Sequence, residues 1–439
     1  MGGSSAQGEC RRAALARRCL PAGPRGLRPV PRDGGRPAAG GALLAGWSGL
    51  ATVRPVSNER SRTRIAPRLV VLALGAACLL AGLDAALVRL SLPALVTGAE
   101  LAALHGPLML VGFLGTVISL ERAVAARASW AYAAPAASAL GCLLLLAGAP
   151  QPVGRALLVI SAAALCAIYL RVHRRAPAPA VDVEAMGALA LLLGNLLWLR
   201  GFPLETVVPL WLLLPTLTIV GERLELARVA FLDPAVEALV RALSAAAVLG
   251  ACFMVVWPTA RLATGPALAG LAVVMAYHDV ARRTIRADGG VRFMAASMLA
   301  GYAWLAVAGL TWSLWGFTGL AGAGYEIIVH AIAVGYAFSM ILAHAPVIIP
   351  AIVHRRLAYH RAMWVPYALL HAGMAVRVGG LIADSAGIWQ AGGALGVAAI
   401  LVFMALSLTR VVTSGGIASP GGRPGGPLPG RRAAAGGAL

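Results

Sequence analysis

Four of the eight histidines, His105, His330, His344 and His371, fall inside long apolar stretches of the chain. The other four, His173, His278, His354 and His360, stand beside arginines in polar connections or at a helix end, where a solvated imidazole needs no further explanation. An imidazole held in hydrocarbon-like surroundings is costly, so each of the first four is a functional candidate. It can ligate a metal or haem, relay protons, or hydrogen-bond a neighbouring helix.

Their spacing sorts them into pairs. His105 lies in the first turn of the second apolar span and His330 about one turn into the tenth, both counted from the same face, so the two are level. A planar cofactor set edge-on between two helices needs one neutral imidazole on each side. His344 follows His330 by 14 residues, roughly 21 Å along an α-helix and nearly the same face. His371 in the eleventh span sits as far from the opposite face as His344 does. That second pair is a candidate metal site, second haem site or part of a proton path. No C-x-x-C or haem-attachment sequence occurs, and Cys10, Cys19, Cys78, Cys142, Cys166 and Cys252 are scattered, so a haem would be held without covalent links.

The elements that carry these residues are legible from composition. Of 439 residues, 59% are apolar and 12% charged, with mean hydropathy +0.81; an ordinary soluble domain has roughly 45–50% and 25%. Apolar runs of membrane-spanning length follow one another near 69–90, 104–126, 131–149, 153–172, 183–200, 205–224, 236–257, 263–281, 293–318, 325–353, 362–383 and 387–410. The fold class this predicts is all-α, a polytopic integral membrane protein of about twelve transmembrane helices spanning 67–412. No room remains for a separate soluble domain.

The net charge of +20 comes from 37 arginines and no lysine. Read by position it speaks for a membrane and against nucleic acid. Alternate connections carry Arg122, Arg127, Arg171, Arg174, Arg175, Arg223, Arg228, Arg282, Arg283, Arg286, Arg292, Arg355, Arg356 and Arg361. The others carry only Arg89, Arg155, Arg200 and Arg261. The positive-inside rule then puts both termini in the cytoplasm, and a missed or invented span would blur the bias. Arginine in place of lysine, with abundant Ala and Gly, points to a high-GC bacterial genome and so to a bacterial inner membrane. Residues 1–66, rich in Arg, Gly and Pro, read as a disordered cytoplasmic segment, with a true start nearer residue 60 as the alternative. Residues 413–439 read as a flexible Gly/Pro-rich cytoplasmic tail.

Other polar residues within the spans are weaker signals. Asp84, Arg89, Glu326 and Arg377 all fall at the outer level, where an arginine either pairs with a haem propionate or snorkels to the interface. Glu121-Arg122 and Glu222-Arg223 close the second and sixth spans, and the tenth lies four further on, a spacing that fits three four-helix units.

Two segments resemble a known family. His105-Gly106-Pro107-Leu108-Met109-Leu110-Val111-Gly112-Phe113 is similar to the NnrS run of His, Met-Leu and Gly-Phe. His330-Ala331-Ile332-Ala333-Val334-Gly335, with Met340 and Leu342 beyond, is similar to its His-Ala-x-x-Val-Gly stretch. NnrS proteins are haem- and copper-associated membrane proteins linked to bacterial nitric oxide metabolism, with the same number of helices. The resemblance implies haem between His105 and His330, copper as a further cofactor, and nitric oxide or a redox partner as what the protein meets. Where that family often has a second His and then Glu, this chain has Pro107 and Leu108, so no copper ligand carries over there. The pairing of helices two and ten also resembles haem-copper oxidase catalytic subunits. Their copper site needs histidines from helices six and seven, and residues 205–257 contain none; a terminal oxidase is excluded.

The sequence therefore predicts an NnrS-like integral membrane haem protein, for nitric oxide handling, electron transfer or sensing, with catalysis not implied. The rival from another class is a twelve-helix secondary transporter. Its expected signature is interruptions repeated in two halves, and Pro215, Pro346 and Pro350 do not map so. A purely structural or assembly role is the third reading.

Overall fold

A computed structural model describes residues 58–228, 233–316, 322–353, 355 and 357–413. The expectations for the N-terminal segment and C-terminal tail, together with Cys10, Cys19, His354 and Arg356, lie outside the described residues. Among those described there is no β-strand, and twelve helices are long and apolar enough to cross a membrane. They are α1 (Pro67–Arg89), α2 (Pro107–Ala126), α3 (Ser129–Leu146), α4 (Gln151–Arg175), α5 (Pro179–Leu199), α6 (Leu204–Arg228), α7 (Pro234–Phe253), α8 (Pro258–His278), α9 (Gly289–Leu314), α10 (Ala323–Pro346), α11 (Arg361–Ile382) and α12 (Ala386–Thr413). The chain is an all-α polytopic membrane protein, as its hydropathy predicts.

Only helices satisfy every backbone N–H and C=O within one segment, so runs of this length can cross hydrocarbon in no other regular form short of a closed barrel. Short connections force neighbours into antiparallel hairpins. Gly148 (φ 77°) and Gly201 (φ 89°) take the left-handed position that ends α3 and α5. Lipid gives helices no hydrophobic reason to associate, so close backbone packing does that work through small residues. A Cβ at Gly141 in α3 would stand 2.9 Å from the Gly154 carbonyl of α4, and Gly265 of α8 and Gly309 of α9 meet in the same way.

Three helices form the middle. In α2, α6 and α10 the apolar windows are 67%, 78% and 67% buried, against at most 50% in any other span. The fourfold spacing of these three in the sequence fits that placement. α6 packs against both α2 and α10, so these three are the most enclosed of the twelve spans and the other nine are more exposed at the surface of the bundle.

Candidate functional site

Both leading histidines stand where a helix changes its winding. His105 follows a short helix (Ala99–Ala103) and stands two residues before a π-helical stretch, Pro107–Gly115; His330 immediately precedes another, Ala331–Phe338. Pro107 opens the first stretch, where its missing N–H costs no hydrogen bond. The wider i→i+5 turn is uncommon and concentrates at functional sites. It also brings the backbone close to its neighbours: a Cβ at Gly112 would meet Cys78 and Cys142 at 3.0 Å, and one at Gly335 would meet Trp304 at 2.5 Å.

The two imidazoles come together across the bundle, with ring centres 6.3 Å apart and planes 13° from parallel. His105 Nδ1 lies 2.9 Å from the Gly82 carbonyl oxygen of α1, and His330 Nδ1 lies 2.9 Å from the Glu326 carbonyl oxygen of its own helix. A carbonyl only accepts, so each Nδ1 carries the proton and each neutral ring leaves an unprotonated Nε2. Backbone carbonyls fix the tautomer of metal-bound histidine in this way.

Around them the charges are matched. The Glu326 carboxylate pairs with Arg377 of α11, accepts from Trp389 Nε1 at 3.2 Å, and has Oε1 3.7 Å from His330 Nδ1. Arg377 also lies over the Trp389 ring, 5.5 Å from its centre. Both histidines border a cavity of about 190 Å³ whose wall includes Arg89, Met109, Met374 and Val208. Phe113 and Phe338 stack beside it at 5.7 Å. A Cβ added at Gly106 or Gly396, both on the wall, would meet nothing within 4 Å.

Two unprotonated ring nitrogens facing shared space are suited to a metal. A metal bonded to both at about 2 Å, with roughly 1.1 Å more from each nitrogen to its ring centre, sets the centres roughly 6 Å apart. Among the described residues no group of three or more His, Cys, Asp or Glu side chains is placed to hold a metal ion. Two imidazoles alone leave a bare ion under-coordinated, whereas a tetrapyrrole brings four nitrogens of its own.

The other two candidates do not join this site or each other. His344 Nδ1 donates to the Met340 carbonyl at 2.7 Å and its charged neighbours are Arg223, Glu121 and Asp279. The α-helical spacing predicted nearly the same face as His330. His344 lies 14 residues further along the chain, eight of the intervening residues are π-helical, and its surroundings differ from those of His330. His371 Nδ1 accepts from Trp304 Nε1 at 3.0 Å, and its ring packs edge-on against Tyr367 at 4.4 Å. With Nδ1 an acceptor, the neutral ring carries its proton on Nε2, and neither nitrogen is free to ligate. No hydrogen bond or ring contact joins His344 to His371 among the described residues.

The remaining polar residues fall into place as supports. Asp84 accepts from the backbone of Leu95 and Val96 at 2.7 and 2.8 Å, fastening the loop after α1. His173 pairs with Asp182 at 2.9 Å, and His360 accepts from the Ala362 N–H at the start of α11. Arg122 holds Glu121, Glu184 and Glu222 together from α2, α5 and α6. Arg223 meets Asp279 through two bonds of 2.7 Å, and Tyr302 donates to the same carboxylate at 2.6 Å. Burial alone would raise the Asp279 carboxyl; the hydrogen bonds and charge of Arg223 override it and hold that group below the usual 3.8.

Sequence reasoning missed several of these. Glu184, in the apolar run of α5, and Asp279, just past α8, carried the signal of an ionisable group in or beside a span. The carbonyl of Gly82 and the indoles of Trp304 and Trp389 carried none.

A family model described as a domain of unknown function, DUF8744, matches residues 68–412. The chain belongs to that family. The matched stretch takes in all twelve spans but for the first residue of α1 and the last of α12, together with both π-helical segments and every residue of the histidine cavity. No curated protein and no solved structure matches the chain.

Proposed function

We propose that this protein is an NnrS-like membrane haem protein, with haem held without covalent links between His105 and His330. The observation that carries the reading is the pair of near-parallel imidazoles, 6.3 Å apart beside a cavity, each with Nδ1 tied to a carbonyl. Haem, when bound, would be held by His105 and His330 and would supply one-electron chemistry. The protein's part is to present two unprotonated nitrogens and hold their rings parallel. Glu326 and Arg377 set the charge beside them, and lipid-facing helices keep water away.

In this reading the role is electron transfer, sensing or handling of nitric oxide. If both rings held the group, binding of the gas there would require one imidazole to give up its place, or a different site. His330 is the better held, since it has the Glu326 carboxylate nearby as well. The arginine bias and the even number of spans support a bacterial inner membrane with both termini cytoplasmic. Among the described residues no group of three or more His, Cys, Asp or Glu side chains is placed to hold copper as well.

The test is the visible spectrum of the detergent-purified protein, oxidised and dithionite-reduced, with a pyridine haemochrome assay and copper measured on the same sample. The expected result is a strong Soret band with sharp reduced α and β bands and no stoichiometric copper. A colourless protein, still so after expression with haem precursor, overturns the reading and makes transport the next function to assay.

A further inference from the structure

The end of α4 presents a second, separate surface. Ala167, Leu170, Arg171, Arg174 and Arg175 recur at the i, i+3, i+4, i+7, i+8 spacing of one helical face. Together with Trp130 at the start of α3 they line a surface groove of about 520 Å³. The order along the face runs from apolar to cationic. Leu170 is 49% exposed and Trp130 40% exposed, so the groove opens sideways, toward where acyl chains lie.

Among the described residues no acid pairs with these cations. Most other arginines near that end are occupied: Arg122 with three glutamates, Arg223 with Asp279, Arg228 with Glu225 and Glu237, and Arg282 over the Tyr277 ring. Asp182, the nearby acid at the start of α5, is taken by His173 at 2.9 Å and Arg241 at 3.7 Å. Among the described residues, Arg171, Arg174 and Arg175 make no ion pair or hydrogen bond with protein. Leu170 also borders a second trough of about 770 Å³ between α4, α5 and α7, walled by apolar residues such as Met186 and Leu189.

We propose that the α4 groove binds an anionic phospholipid, its phosphate held by Arg171, Arg174 and Arg175 and an acyl chain lying along the trough beyond Leu170. Guanidinium groups match phosphate oxygens in bidentate fashion, and a tryptophan at the headgroup level anchors such a site. Three cations without a carboxylate also discriminate between headgroups. The amine of a zwitterionic lipid would bring a fourth cation into the groove, whereas a headgroup of net negative charge brings none. The inference is independent of the haem reading.

The test uses the full chain, purified in detergent and stripped of lipid, with native mass spectrometry and thermal unfolding as readouts. The probes are phosphatidylglycerol, phosphatidylcholine and inorganic phosphate. Phosphatidylglycerol is expected to be retained over phosphatidylcholine by about tenfold or more and to raise the unfolding temperature. The preference should be lost in the variant Arg171→Gln/Arg174→Gln/Arg175→Gln and kept in Arg282→Gln/Arg283→Gln. Equal retention of the two lipids, or a preference unchanged in the triple variant, overturns the proposal; equal stabilisation by inorganic phosphate makes this a free-oxyanion site and overturns the lipid. A measurement that leaves the arginines intact is quenching of tryptophan fluorescence by brominated phosphatidylglycerol. The quenched share should fall in Trp130→Phe, and an unchanged share overturns the placement.

Discussion

Two polar regions on the central helices α2, α6 and α10 make opposite use of the same cost. Beside His105 and His330, each ring spends one nitrogen on a carbonyl and leaves the other without a proton next to open space. Around Arg122 and Arg223, the acids are pressed onto guanidinium groups: Glu184 and Glu222 on the first, Asp279 on the second. Even the space is taken, since a Cβ at Gly221 would stand 2.4 Å from Glu184 Cγ. Buried charges that are paired with one another within the protein fasten helices to one another. Imidazoles that keep an unused nitrogen on a cavity are built for something brought from outside.

The sharpest way to break this contrast is to remove one ring. His105→Ala and His330→Ala should each abolish the Soret absorbance of purified, folded protein, and a full haem complement in either variant sinks the ligand assignment. The next largest effect belongs to the opposite region. Asp279→Asn leaves Arg223 buried at 8% exposure without its counter-charge and should cost about 3–5 kcal/mol in reversible unfolding, with haem per folded molecule unchanged. If haem is lost in proportion to stability, the two regions are not independent.

The same pair sets a pH dependence with a definite sign. Asp279 is held below 3.8 when folded, so its contribution is complete above that value and is lost as pH falls through the lower, folded one. The wild-type unfolding temperature should therefore show an acid limb below about pH 4 that is smaller in Asp279→Asn. A limb of equal size in both would assign it to other carboxylates. Glu326→Gln removes the charge beside His330 and should weaken cofactor retention about 10–100-fold without abolishing it, read by haem transfer to an acceptor protein. The smallest change is expected from His344→Ala, which should keep its haem and lose no more than about 1 kcal/mol of stability. Loss of haem there would return that residue to the site.

Much of the fold was legible because hydropathy is a local property. Each of the twelve spans satisfies its own backbone within some twenty residues, and no distant contact is needed to recognise one. The level of His105 against His330 was legible for a similar reason, as a count from helix ends. The neighbours of His344 were not legible, because a count along one helix gives a level and not the side chains that other helices bring to it. The π-helical stretch between His330 and His344 depends on how closely α10 can approach α6 and α9, and no local propensity marks it. Glu326 and Arg377 drew notice as intramembrane charges, but their bond to each other could not be read from two helices considered separately.

The sequence by itself determined that the protein is a bundle of twelve apolar helices and that four imidazoles lie within them, since burial of apolar surface and backbone satisfaction are settled span by span. Which imidazoles meet was decided only by the tertiary structure. A histidine takes its tautomer from whichever acceptor or donor reaches Nδ1, and for His105 and His371 that partner, the Gly82 carbonyl or the Trp304 indole, comes from another helix. The same residue type thus donates through Nδ1 to a carbonyl in one place and accepts there from an indole in another.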